Sequence, residues 1–396
     1  MSFQGLWSDL EHLGRSPRTG GYNRFTGGPT DLTLREWFEG EAEQRGMHVE
    51  VDRVGNQWAW LGDPDRAAAQ GRKAVVLGSH LDSVPEGGAF DGALGVISAF
   101  AAVDQVLADD ALSDVPLGIV NFIEEEGGRF GLTCLGSRLL VGNLEPEAAL
   151  GLLDSDGVSL SECLAGLDVS AEHLGPDREA LNRIGTYLEL HIEQGRGLVE
   201  LDRPVAVGSA IRPYGRWRVE FTGEGNHAGT TRMSDRTDPM LGLAELIQVT
   251  RRAGERHGCV ATIGKIRVTP NAANAIPSQA IGWLDARGPD EAWIRQVAAE
   301  VEAIPAAAVF EESFTPWETF DQSTVALLAS ELDDAPILES GAGHDAGTLA
   351  SVGIASAMLF VRNPTGVSHS PSEHAEFDDC VVGVDALATS VKTLLL

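Results

Sequence analysis

The stretch Ala74-Val75-Val76-Leu77-Gly78-Ser79-His80-Leu81-Asp82-Ser83 is an apolar run that stops on an imidazole and a carboxylate. Three more runs behave the same way. Leu117 to Ile123 leads into Glu124-Glu125-Glu126, Tyr187-Leu188-Glu189-Leu190 leads to His191, and Ala355 to Val361 leads through a Pro/Gly loop to His369. Continuous apolar runs of this length read as strands buried on both faces, in a mainly parallel sheet with helices between its strands. In such sheets ligands gather beyond the carboxyl ends of the strands, which is where the polar clusters fall. A helix begins just after Asp91 and runs toward Val106, placing Asp91 at a strand-to-helix crossover on the same rim.

From about Gly208 to Pro316 the pattern changes. Trp217-Arg218-Val219-Glu220-Phe221 alternates like a half-buried strand, and Asp238-Pro239 opens a helix through Leu241, Leu243, Leu246 and Ile247. Strands at Val260–Val268 and Ala280–Asp285, a helix at Glu291–Ile304 and a strand at Val309-Phe310 complete a β-α-β-β-α-β order. That is the split βαβ of a ferredoxin-like sandwich. The fold expected is therefore α/β, a mainly parallel-sheet catalytic domain over 1–208 and 317–396, with a ferredoxin-like α+β domain inserted over 209–316 and hinges near Gly208 and Pro316.

Charge and composition narrow the partners. The 396 residues carry 59 acidic against 29 basic side chains, a formal charge of −30, and the lysines are Lys73, Lys265 and Lys392. Such a field disfavours nucleic acid and anionic membranes. No apolar run reaches the ~18 residues of a membrane helix, and Met1 to Gly5 lacks the basic and apolar regions of a signal peptide. Cys134, Cys163, Cys259 and Cys380 form no CxxC, so a reducing, cytoplasmic setting is expected.

The chemistry-bearing residues converge. His80, Asp91, Glu126, His191 and His369 supply three imidazoles and two carboxylates at expected strand ends. Three consecutive acids after an apolar strand are costly unless a cation or hydrogen bonds compensate. Nitrogen and oxygen donors of this kind suit zinc, manganese, cobalt or nickel, and one bridging carboxylate with two ligands on either side makes a two-metal hydrolytic centre.

The segments Gly78-Ser-His-Leu-Asp-Ser-Val-Pro, Gly88-Ala-Phe-Asp-Gly-Ala-Leu-Gly, Glu124-Glu-Glu-Gly-Gly-Arg-Phe, His191-Ile-Glu-Gln-Gly, Asn226-His-Ala-Gly-Thr-Thr, Gly343-His-Asp-Ala-Gly and Ser368-His-Ser-Pro together resemble the M20 metallopeptidase clan. Within it they resemble the amidohydrolase branch of N-carbamoyl-L-amino-acid hydrolases, β-ureidopropionases, allantoate amidohydrolases and ureidoglycolate amidohydrolases. The resemblance implies one divalent metal ion, most readily zinc, on His80, Asp91 and His191, and a second on Asp91, Glu126 and His369. It implies Glu125 as general base, Asp82 as the carboxylate that orients an imidazole, and His227 as the group polarising the scissile carbonyl across a homodimer interface. Arg216, Asn274 and Arg287 match positions that grip a substrate carboxylate, and Gln194 one that contacts the ureido or amide group.

The implied activity is cleavage of a linear ureido or amide C–N bond in a small acid such as an N-carbamoyl-L-amino acid, allantoate, ureidoglycolate or β-ureidopropionate. An M20 aminoacylase or dipeptidase is the alternative, and a non-catalytic binding protein of the same fold a more distant one. His191 counts against the peptidase branches, where an acid commonly stands at that position. Arg232, Glu86 and the Asn363-Pro364-Thr365-Gly366 loop depart from the family pattern, at places expected to sense the substrate side chain.

Overall fold

The computed structural model of the chain describes residues 2–109 and 116–395. It divides into two compact units, Met1–Ala210 with Thr319–Leu396, and Ile211–Glu318.

The larger unit is built on a nine-stranded sheet with β1 (His48–Val51), β2 (Gln57–Leu61), β3 (Ala74–His80), β4 (Leu117–Phe122), β5 (Ile184–Ile192) and β6 (Val205–Ile211). After the smaller unit come β13 (Glu318–Thr319), β14 (Ile337–Ser340) and β15 (Ala355–Val361). The order is β1-β2-β4-β3-β5-β15-β6-β13, with β14 pairing β6. The centre, β4-β3-β5-β15, is parallel; β1 with β2, β2 with β4 and β6 with β15 pair antiparallel. The mainly parallel sheet expected is this central part, and antiparallel strands extend it on either side. Trp58 and Trp60 on β2 stack at 5.5 Å on this antiparallel side.

Every residue of β3 and β4 is buried, which is what a strand covered on both faces requires and why neither alternates. The helix Ala93–Leu107 is nearly as buried, its small residues Ala93, Gly95, Ala99 and Ala102 allowing close approach to the sheet. Parallel register sets His80 beside Phe122 and His191 beside Phe360, so the carboxyl ends of the central strands share one rim. Gly208 lies inside β6 opposite Met358, two residues before the boundary between the units at Ala210.

The smaller unit contains β7 (Tyr214–Thr222), β8 (Asn226–His227), β9 (Val260–Thr269), β10 (Ala275–Ile276), β11 (Gln279–Arg287) and β12 (Ala308–Thr315). Its four-stranded sheet has the order β12-β7-β11-β9, antiparallel throughout, which is the split βαβ arrangement. On β7 the burial alternates, with Trp217, Val219 and Phe221 inward and Arg216, Arg218 and Glu220 on the other face. The inward set packs against Leu243 and Leu246 of the helix Pro239–His257 and Ile294, Val297 and Val301 of the helix Glu291–Glu302. Each such side chain contributes about 1.5–3 kcal/mol by leaving water. Asp238 and Asp290 cap the two helices by accepting the backbone N–H of Met240 and Ala292. No helix among the described residues is long and apolar enough to cross a membrane.

Candidate metal centre

Four loops at the carboxyl rim of the larger unit bring the site together. β3 delivers His80 and Asp82, the turn before the helix Ala93–Leu107 delivers Asp91, β4 runs into Glu124-Glu125-Glu126, and β5 carries His191 at its end. His369 follows β15 in the left-handed region, at a φ of 55°. Gly92 (φ 67°) also needs that region, and a Cβ there would lie 2.3 Å from the His80 ring. Glycine at 92 therefore lets the Asp91 turn close over His80.

Asp91 sits between two groups of donors. His80, Asp91 and His191 form one cluster, and Asp91, Glu126 and His369 another, the ligand atoms of each lying within 4.8 Å of one another. Asp91 Oδ1 is 3.1 Å from His191 Nε2 and 3.6 Å from His80 Nε2; Oδ2 is 3.6 Å from His369 Nε2. Glu126 Oε2 lies 3.4 Å from the same His369 nitrogen. The opposite ring nitrogens are occupied: His191 Nδ1 lies 2.9 Å from the carbonyl of Ile192 and His80 Nδ1 lies 3.2 Å from that of Asp82. Engagement of Nδ1 makes Nε2 the nitrogen that each ring turns toward Asp91, the one a metal would take.

The carboxylate of Asp82 lies 3.5 Å from His80 Nδ1 and does a second job that its spacing did not reveal. Its two oxygens accept the backbone N–H of Glu125 and Glu126, each at 3.1 Å, so one side chain sets both acids. Glu125 Oε2 lies 3.7 Å from His80 Nε2, and Glu125 Oε1 accepts the thiol of Cys134 at 3.1 Å. Glu124 turns away from this group, accepting the backbone N–H of Arg129 and Phe130.

The electrostatics show a strained balance. Burial pushes Glu125 up to about 7 against the pull of His80, and burial with Asp91 and Glu125 holds Glu126 well above the usual carboxylate range. Burial would raise Asp91 too, but His191 and His80 outweigh it and keep its carboxyl far below its ordinary value. Against its own burial, His191 is raised to about 9 by Asp91. Imidazolium and protonated carboxyl groups fill the place of positive charge that a divalent ion supplies when it binds and displaces their protons. Glu126 Oε1 is buried with no hydrogen-bond partner among the described residues, as a ligand oxygen is when its partner is a cation. The donor set of imidazole and carboxylate fits a borderline divalent metal.

Residues 76–393 match the model of peptidase family M20/M25/M40. The chain belongs to this family. Among its relatives is the N-carbamoyl-L-amino acid amidohydrolase of Geobacillus stearothermophilus, 35% identical, with 98% of this chain and 97% of that one covered. The allantoate deiminase of Arabidopsis thaliana is 32% identical over 91% of this chain and 76% of its own length. Among solved structures, an amidase of the hydantoinase/carbamoylase family from Burkholderia vietnamiensis superposes with a TM-score of 0.89 at 29% identity, covering 100% and 98% of the two chains.

In this M20 chain Gln194 Nε2 donates to Asp91 Oδ2 at 2.9 Å and to Ser368 Oγ at 3.1 Å, so it lies on the Asp91 side of the rim. The other residues singled out belong to the smaller unit. Arg216 on β7 stands opposite Asp285 on β11 and donates to it at 3.1 Å; Arg287, two residues along, donates to the same carboxylate at 2.7 Å and lies over the Tyr214 ring. His227 is exposed on β8, its Nδ1 accepting the N–H of Gly229, and Asn274 accepts the N–H of Ala228 through its carbonyl.

Of the departures from the family pattern, Glu86 bonds to Thr19 and, at 2.9 Å, to the side chain of Asn23, bracing the N-terminal segment where Tyr22 pairs with Gly87. The Asn363–Gly366 loop closes on itself, Asn363 Oδ1 accepting the N–H of Thr365 and Gly366. Arg232 is exposed in the smaller unit.

Beneath the rim lies a layer of buried groups, of which sequence reasoning missed Glu189 and had His344 and Asp345 only as part of a motif. Glu189 accepts Ser79 Oγ at 2.9 Å and the N–H of Ala346, Asp345 bonds Ser137, and His344 stacks edge-on to His191 at 4.6 Å. It also missed Glu373. The signal for Glu189 was present, an acid inside an apolar strand; Glu373 sits among Ser and Pro residues and reads as surface.

Proposed function

We propose that this chain hydrolyses a linear ureido or amide C–N bond in a small carboxylic acid, with an N-carbamoyl-L-amino acid or a related ureido acid as substrate. The observation that carries the reading is Asp91 shared between two donor clusters with Glu125 beside them. His80, Asp91 and His191 would hold one divalent ion, zinc in the first instance, and Asp91, Glu126 and His369 a second, which would supply Lewis acidity for activating a water and polarising the scissile carbonyl.

Glu125 takes the proton of the attacking water and passes it to the leaving nitrogen. Its buried carboxyl lies 3.7 Å from His80 Nε2, at the edge of the donor cluster. Asp82 fixes Glu125 through its backbone, so the base keeps its position as it changes charge. Water adds to the carbamoyl carbon and the C–N bond breaks; a carbamoyl amino acid then yields the free amino acid, ammonia and carbon dioxide. Gln194 holds the ureido or amide group, and Arg287 with Arg216 and Asn274 receives the substrate carboxylate, a role suited to a guanidinium fork.

His227 stabilises the oxyanion from the partner chain of a homodimer. Supporting this, β9 is an edge strand with Ile266 54% exposed, and the adjoining helix Pro239–His257 exposes Leu241 at 73%, apolar surface on the unit that carries His227. A panel assay of ammonia release from carbamoyl amino acids, β-ureidopropionate, allantoate and ureidoglycolate, beside an N-acyl amino acid, tests the reading. Turnover of a ureido acid is expected; turnover of the N-acyl amino acid alone would give the protein to the aminoacylases.

A further inference from the structure

Glu373 is 5% exposed, lies four residues after His369, and has no part in the chemistry described above. Its Oε1 accepts two successive backbone N–H groups, those of Phe90 at 2.8 Å and Asp91 at 2.9 Å. Its Oε2 accepts the hydroxyl of Ser368 at 3.3 Å, and that hydroxyl also lies 3.2 Å from Asp91 Oδ2. One carboxylate thus reaches Asp91 by two routes, through its backbone and through a shared serine. A third observation shows the place is reserved for it: a Cβ on Gly88 would lie 2.2 Å from the Glu373 carboxyl carbon and from Oε1. Gly88 is not in the left-handed region, so its lack of a side chain serves space and not backbone conformation.

We propose that Glu373 is a positioning residue for the metal centre, clamping the turn that carries Asp91 to the loop that carries His369. The proposal rests on the reading of that centre as a metal site. Asp91 is the one ligand common to both clusters, and it stands on a turn flanked by Gly88 and Gly92, which has little stiffness of its own. A single acceptor for two consecutive N–H groups fixes the peptide plane ahead of Asp91 and hence the direction of its side chain. The Ser368 link then couples the placement of Asp91 and His369, 278 residues apart in the chain. Partners of this kind govern how well ligands hold a metal without touching it.

The clamp needs an acceptor at Oε1 and no particular charge. In Glu373→Gln the amide oxygen can take the two N–H groups while its NH2 faces Ser368 Oγ; Glu373→Ala removes both links. Gly88→Ala attacks from the other side, pushing the carboxylate off the two N–H groups without straining the backbone.

The test is zinc affinity of the metal-free full-length protein, by competition with a chromophoric chelator, with melting of the metal-free forms alongside. Glu373→Ala and Gly88→Ala are each expected to raise the zinc Kd by about 10- to 100-fold, and Glu373→Gln to stay near wild type. With the carboxylate gone the new methyl fits, so the double variant Gly88→Ala/Glu373→Ala should bind no worse than Glu373→Ala alone. Wild-type affinity in folded Glu373→Ala, or in Gly88→Ala, overturns the proposal, as does a Glu373→Gln as weak as the alanine. If the wild-type chain itself binds no zinc or other divalent ion, the metal reading fails and takes the clamp with it, a result distinct from the others.

Discussion

At the rim of the larger unit Asp82, Asp91, Glu124, Glu125 and Glu373 are buried, and the cationic groups closest to Asp91 are the imidazoles of His80, His191 and His369. On the open sheet face of the smaller unit, Asp285 stands between Arg216 and Arg287, with the three side chains 26–31% exposed. Both are clusters of titratable groups, the first at and beyond strand ends and the second on strands, yet they balance charge in opposite ways. The rim leaves negative charge that only protons offset, and burial drives several of its acids upward. In the smaller unit the two guanidiniums outweigh burial and hold Asp285 below its ordinary value. In the proposed function the first arrangement is assigned to cations and the second to the substrate carboxylate.

Breaking the rim should cost most. Glu125→Gln keeps the shape of the site and removes the proton acceptor, so turnover should fall by at least ~100-fold while metal stoichiometry holds. Near-normal turnover would remove Glu125 from the role of base. Glu124 would be a poor replacement, since its carboxylate already braces Arg129 and Phe130.

The two units should also complement each other between chains. Mixing inactive His227→Ala with inactive Glu125→Gln subunits gives about half mixed dimers, each with one intact site, hence about a quarter of wild-type activity. If subunits exchange and no activity returns, His227 acts within its own chain or has no part in turnover.

Damage to the smaller unit alone should be milder and of a different kind. Arg287→Ala removes a charged hydrogen-bonding partner, for which about 1.5–3 kcal/mol is usual, so KM for a carboxylate substrate should rise by about 10- to 100-fold with metal content unchanged. Equal losses on substrates with and without the carboxylate would break the assignment.

The smallest effect sharpens the contrast through pH. In the metal-free protein Glu124 and Glu125 are raised from 4.5 to about 7, and His191 from 6.5 to about 9. The folded state then holds protons that the unfolded chain has released. Stability from these groups is present below their unfolded values and is lost as pH rises through the folded ones. Asp285 has the opposite sign: lowered from 3.8, it contributes above that pH and loses its contribution only as pH falls below it. Between about pH 5 and 9, hydrogen exchange should therefore show the rim segments loosening while the strand Gln279–Arg287 stays constant. Added zinc should reverse the loosening, since metal binding releases those protons. Parallel loosening of both segments would remove the contrast.

Much of this was legible in the sequence because the motifs are local. A strand that ends on His80, or a helix that starts after Asp91, is fixed by a few adjacent residues and their periodicity. The parallel centre of the sheet followed from apolar runs with no alternation. What escaped was non-local. β2 is buried through its antiparallel pairing with β4, and β1, partly exposed, pairs with β2 at the sheet edge. Glu86 stands in a motif loop but is claimed by Thr19 and Asn23, residues more than sixty positions away.

By itself the sequence determined which side chains are available and at which strand ends they stand, since local propensity and side-chain alternation depend on near neighbours. Tertiary structure alone decided what each one faces. Asp82 holds Glu125 and Glu126 across 43 and 44 residues, and Glu373 holds Phe90 and Asp91 across 283 and 282. A hydrogen bond closed over such loops exists only once the sheet and its crossovers have already paid the loop entropy, so nothing in the neighbouring residues announces it.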